Sequence, residues 1–229
     1  MAGILTRAAG PYPLDLTDYR AYVRLRDDFL SGGYTSGIVG ELGWTIVNGT
    51  ATGVAAEANR YGVVQRDTGS SINTATTMYP RGLASVGTVN PAAAYELTWY
   101  IKLGQAVGTF DLRAGMANAT TGDPPADGMY FEVLAADTNI FCVTRASSVS
   151  TGSRTDSGVA ATTNWVKLKQ VRVSPAAPVQ FYIDDVLVAS NTTNITTAML
   201  QPFLSLKNTE AASKTVNIDL FDYIGTVGR

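Results

Sequence analysis

Two adjacent carboxylates, Asp184 and Asp185, stand between apolar runs in "FYIDDVLVASNTTNI", residues 181–195. Such a pair can supply an acid and a base, can ligate calcium, or can turn the chain. Neighbouring residues on a strand point to opposite faces, so the two do not converge on one substrate. Calcium needs further oxygens at loop spacing, and no Asp-x-Asp-x-Asp-Gly pattern occurs. A two-residue connection between alternating runs needs positive φ, which Asp tolerates. The pair predicts a hairpin turn.

The remaining chemistry is sparse. There is no histidine, the commonest general base and transition-metal ligand. The single cysteine, Cys142 in "NIFCVT", excludes an internal disulfide and a cysteine-based zinc site. Without a histidine partner it reads as a packed thiol. Glu132 and Asp137 in "YFEVLAAD" fall on opposite faces of an ideal strand and form no acid pair. Tyrosine and arginine are interleaved most densely in "TDYRAYVRLR", in the N-terminal stretch. These observations predict a protein that is not an enzyme, with no catalytic residues, no cofactor and no metal site. Three polar loops, "ANATTGDPPADGMY" (117–130), "ASSVSTGSRTDSG" (146–158) and "NTTNITT" (191–197), are of the kind that line a sugar site at a sandwich rim. As sequence each of them reads first as an ordinary solvated loop. Trp44, Trp99 and Trp165 lie in or open strand-like runs and are expected in the core rather than on a sugar platform.

These residues must be held by β structure. From Asp27 onward, short runs such as "YELTWYIKL", "GMYFEVLA" and "VQFYI" alternate apolar and polar residues between Gly, Asn, Asp, Pro and Ser turns. Leu97, Trp99, Ile101 and Leu103 fall on one face, and Phe181, Ile183 and Leu204 are further inward candidates. No amphipathic helical period and no internal repeat of 20 to 50 residues appears. The 229 residues fit one large all-β domain or two small domains. A net charge of −2 and the lack of a basic stripe predict no nucleic-acid partner. No apolar run approaches the ~18 residues of a membrane span, and the first residues lack a secretory signal. The Asn-x-Thr sequons at Asn48, Asn118, Asn191 and Asn194 are accordingly expected to be unglycosylated.

Residues 1–26 differ from the rest. Pro11 and Pro13 favour extended backbone, and Tyr12, Leu14, Leu16, Tyr19, Tyr22 and Leu25 are too apolar for a tail that stays in water. The sequence predicts two parts: an N-terminal arm for docking and assembly over 1–26, and a β-sandwich over 27–229. Arg7, Arg20, Arg24 and Arg26 are expected to meet an acidic partner surface.

An Asp-Asp-Phe start followed by "GELGW", the strand "NWVKLKQVRV", the hairpin "VQFYIDDVLVASNTTNI", "QPFLSLKNT" and a closing "NIDLFDYIGTV" together resemble the concanavalin A-like (laminin-G-like) jelly-roll sandwich. More closely, they are similar to bacteriophage virion proteins built on it. The resemblance covers roughly residues 27 to 227 and implies a two-sheet antiparallel jelly roll. It implies a non-enzymatic virion component: a head decoration protein, a head fibre or a tail component. Such a protein is made in the host cytoplasm, resides in the virion, and is expected to form homo-oligomers and to contact other virion proteins. The alternative is a glycan-binding, lectin-like module that meets the host surface. The glucanase branch of the fold carries a Glu-x-Asp-x-x-Glu strand, which this sequence lacks.

Overall fold

The computed structural model describes residues 22–30, 38–48, 50–53, 60–80, 89–118, 124–151 and 153–226. The strands in chain order are β1 (Tyr22–Asp27), β2 (Ile38–Val39), β3 (Trp44–Val47), β4 (Thr50–Gly53), β5 (Val64–Asp67), β6 (Ala75–Pro80), β7 (Tyr95–Leu103) and β8 (Phe110–Ala117). They continue with β9 (Gly128–Val133), β10 (Asn139–Arg145), β11 (Arg154–Ala160), β12 (Trp165–Arg172), β13 (Val179–Ile183), β14 (Val186–Asn191), β15 (Gln201–Asn208) and β16 (Thr215–Thr226). No helix occurs among the described residues.

The strands make two eight-stranded antiparallel sheets. The first runs β14-β13-β12-β7-β16-β5-β4, and β1 also pairs with β16. The second runs β11-β10-β9-β8-β15-β6-β3-β2. Alternation decides what lies between them. Leu97, Trp99, Ile101 and Leu103 of β7 and Phe181 and Ile183 of β13 face inward from the first sheet, and all are buried. Met129, Phe131, Leu204 and Leu206 meet them from the second. Trp44, Trp99 and Phe221 pack with ring centroids 4.8 to 5.4 Å apart, and Phe131 meets Phe181 edge-to-face at 5.2 Å.

Residues from "DDF" and "GELGW" form a buried staple between the two sheets. The Asp27 carboxylate accepts hydrogen bonds from the Phe29 and Leu42 amides, each at 2.9 Å, and from the Trp44 indole at 3.0 Å. Gly40, at φ 73°, allows that approach, since a Cβ there would stand 2.3 Å from Asp27 Oδ2.

The sandwich includes residues before Asp27: its first described strand starts at Tyr22. Strand β1 pairs along β16 from Tyr22↔Thr226 to Asp27↔Phe221. Leu25 packs against the core, and Arg24 donates to Asp222 of β16 at 2.7 and 3.0 Å. Leu25 and Arg24 thus serve the sandwich itself. Tyr12, Leu14, Leu16 and Tyr19 lie outside the described residues.

The expected hairpin joins β13 to β14. Asp184 and Asp185 have φ of 49° and 65°, the paired left-handed conformation of a type I′ turn. Trp44 and Trp99 are core residues, as expected. Trp165 is half-buried instead: it stacks on Tyr100 at 5.4 Å, with Arg60 lying 4.5 Å from its ring.

Candidate functional site

The face of the second sheet turned away from the core collects the polar residues that alternate with core positions on β8, β9, β10 and β15. Register arranges them in rows across the strands. One row runs Ser205, Arg113, Glu132, Phe141. The next runs Phe203, Gly115, Tyr130, Val143, Arg154. Lys207 and Asp111 pair on one side of these rows, and Gly128 and Arg145 on the other.

Glu132 anchors the centre. Its Oε1 accepts from Arg113 Nε at 2.9 Å and its Oε2 from Arg154 Nε at 2.6 Å. Arg154 also donates to Asp137 and lies 3.6 Å from the Phe141 ring centroid. Glu132 and Asp137 therefore meet at one arginine, contrary to the expectation from an ideal strand. Strand β9 ends at Val133, and the Leu134 amide donates to Asp137 Oδ2 at 2.7 Å, which turns the acid back. Tyrosine and arginine are likewise brought together by the sheet, where the linear sequence separates them.

Tyr130 is fully buried over an apolar floor of Ala117, Val143 and Phe203, meeting Phe203 edge-to-face at 5.8 Å. Gly115 makes room, because a Cβ there would stand 2.6 Å from Tyr130 Cα. Burial pushes the Tyr130 phenol up to about 12, and the Glu132 charge adds to the shift, so the hydroxyl stays a donor near neutrality. Among the described residues, neither that hydroxyl nor Arg145 Nε, both buried, has a hydrogen-bond acceptor. A pocket of about 360 Å³ opens over these groups, lined also by Leu134, Lys207, Pro124 and Ser150.

Pro124 and Ser150 come from two of the three polar loops, and Asp127 ties all three loops together. Its Oδ1 accepts from the Ser147 amide at 3.0 Å and from Thr196 Oγ1 at 2.7 Å, and its Oδ2 from Asn118 Nδ2 at 3.0 Å. The third loop is also bound inward. Asn191 Nδ2 donates to the carbonyls of Cys142 and Ser153, and Asn194 Nδ2 to the Thr151 carbonyl. These loops brace the pocket wall through their polar groups. A second cavity of about 430 Å³ lies between the sheets, among core side chains such as Leu103, Phe131, Ile140 and Leu168. Among the described residues no cluster of three acids, cysteines or histidines is placed to hold a metal ion. Cys142 is buried, and burial pushes its thiol up to about 12.

A family model described as SO2946-like, C-terminal domain matches residues 59–222, most of the chain. The chain belongs to this family. SO2946 of Shewanella oneidensis MR-1, a protein of unknown function, superposes on this SO2946-like domain with a TM-score of 0.66 at 14% identity, covering 97% of each chain. Peanut lectin gives a TM-score of 0.56 at 10% identity, over 91% of this chain and 99% of its own. The conserved carbohydrate esterase of the Shiga toxin-encoding bacteriophage phi24B gives 0.52 at 16% identity, over 82% of this chain and 94% of its own. No curated protein matches the sequence. At these identities the shared property is the fold: the SO2946-like domain is a concanavalin A-like jelly-roll sandwich.

Proposed function

We propose that this domain is a glycan-binding module that holds its ligand without cleaving it, in the pocket above Tyr130. The observation that carries the reading is the pocket itself: an apolar floor with several convergent polar groups fixed on strands, the composition of a small-molecule site. A lectin and a carbohydrate esterase with the same sandwich support a saccharide as ligand. The non-catalytic part rests on Glu132, both of whose oxygens are engaged by arginine, and on a sequence without histidine. Titration of the full chain against a glycan panel tests the first part: at least one class binds, and Arg145→Ala weakens it. If no glycan binds, the reading fails. Incubation with β-glucans, alginates and host polysaccharides tests the second. No reducing ends or unsaturated products are expected, and cleavage lost on Glu132→Gln would overturn it.

The setting we infer is the surface of a bacteriophage particle, with residues 1–21 as the attachment segment. Its support is the apolar run Tyr12, Leu14, Leu16, Tyr19, which precedes β1, the first described strand of the sandwich. Burying such side chains in a partner supplies several kcal/mol at ~25 cal/mol per Å². Removing residues 1–21 should leave the melting temperature nearly unchanged and abolish association with the particle or with other copies. Unfolding of that truncation would assign the segment to the core instead. Removing 1–26 should destabilise the domain, because β1, Leu25 and the Arg24–Asp222 pair go with it.

A further inference from the structure

The charge of the pocket narrows the ligand class. Among the described residues its lining carries four cationic side chains, Arg113, Arg145, Arg154 and Lys207, against two acids, Asp111 and Glu132. That excess of positive charge sits on a chain whose net charge is −2. The acids are already committed. Glu132 bridges Arg113 and Arg154, Asp137 takes a second nitrogen of Arg154, and Asp111 Oδ1 accepts from the Ala135 amide at 2.9 Å. Arg145 differs from its neighbours. Among the described residues its side chain makes one hydrogen bond, to the neutral Ser150 hydroxyl at 3.3 Å, and its buried Nε has no acceptor. A buried donor left unmade is costly, and a guanidinium fork matches a planar carboxylate. The Tyr130 hydroxyl, in the same wall, also lacks an acceptor.

We propose that the pocket binds a carboxylate-bearing saccharide, a uronate or another acidic sugar, with Arg145 donating to the carboxylate and Leu134 and Val143 against the sugar's apolar side. The proposal rests on this pocket being the glycan site. The bound carboxylate supplies the acceptor that Arg145 lacks, and the neighbouring cations strengthen its hold in a partly desolvated site. Specificity follows from the same groups. A neutral sugar leaves the guanidinium unpaired and so binds more weakly.

The test is calorimetric titration of the full chain with three probes: an oligogalacturonate, its methyl ester and a sulfated neutral oligosaccharide. The acid should bind at least tenfold more tightly than its ester, and Arg145→Gln should remove that difference while circular dichroism and melting stay unchanged. If acid and ester bind equally and Arg145→Gln weakens both alike, the glycan site stands and the carboxylate assignment falls. Binding of the sulfated probe alone also overturns the assignment, in favour of a sulfate. If none of these saccharides, nor any member of the wider panel, binds, the glycan reading fails together with this one. A preference for the acid that survives Arg145→Gln would place the carboxylate elsewhere and overturn the proposal.

Discussion

Among single residues, Asp27 ties β1 to the segment that leads into β3. Its carboxylate satisfies three donors, one of them the indole of a fully buried tryptophan. Asp27→Ala strands those donors in the interior, where each unmade bond costs about 1–3 kcal/mol. A loss of about 3 kcal/mol overall, or roughly 10 °C in melting temperature, is expected from thermal unfolding. Asp27→Asn, which keeps one acceptor oxygen, should fall between. Cys142, Tyr130 and Tyr223 make a pH prediction. Burial raises the thiol from 9.0 and both phenols from 10.0 to about 12 in the folded protein. The unfolded chain therefore releases these protons first as pH rises. Stability is complete below pH 9 and declines from there towards 12. Denaturant titrations at pH 8 and 10.5 should show the drop, and Cys142 should resist alkylation at pH 8 until the protein unfolds. Constant stability over that interval would contradict the burial of these groups.

For the strands, the β13–β14 hairpin separates the roles of two adjacent aspartates. Asp184 holds its neighbour strand, since its Oδ1 accepts from the Lys167 amide at 2.9 Å while its own amide donates to the Lys167 carbonyl. Asp185 is an exposed ion-pair partner of Lys167 and Lys169, which contribute little in solvent and lower its pKa through hydrogen bonds. Asp185→Gly relieves a positive φ and should be neutral or stabilising by up to about 0.5 kcal/mol. Asp184→Gly gains the same relief and loses the cross-strand bond, so it should be less stable than Asp185→Gly by about 1 kcal/mol. Equal stabilities in chemical denaturation would show that the Asp184 bond contributes nothing. The hairpin was legible because adjacent residues of one type, between alternating runs, are a local signal. The candidate site was not. Phe203, Tyr130, Val143 and Arg154 share a row through ladders between strands far apart in sequence, and no local pattern encodes that register. Their trace in the sequence is faint: Asp111 and Arg113 in β8 and Tyr130 and Glu132 in β9 stand two apart, a pattern that any exposed sheet face would show equally.

Across the whole molecule, the sandwich was readable from alternation, because Leu97, Trp99, Ile101 and Leu103 keep period two along an uninterrupted strand. Its beginning was not. In "YVRLRD" charged and apolar residues alternate on a strand that pairs along one edge, a pattern that also suits a solvated arm. The fold is concanavalin A-like, and the glycan site we propose lies on one face of one sheet, where strand-borne cations surround a buried tyrosine. The pairing of β1 with β16 has a further consequence. Tyr22 lies directly opposite Thr226, so the two ends of the sandwich are side by side. A short peptide joining them would close the domain into a ring, and the exposed Asp184–Asp185 turn offers a place to cut it anew. The order of strands along the gene is thus separable from their order in space: a circularly permuted chain starting at Asp185 would rebuild both sheets and the same pocket.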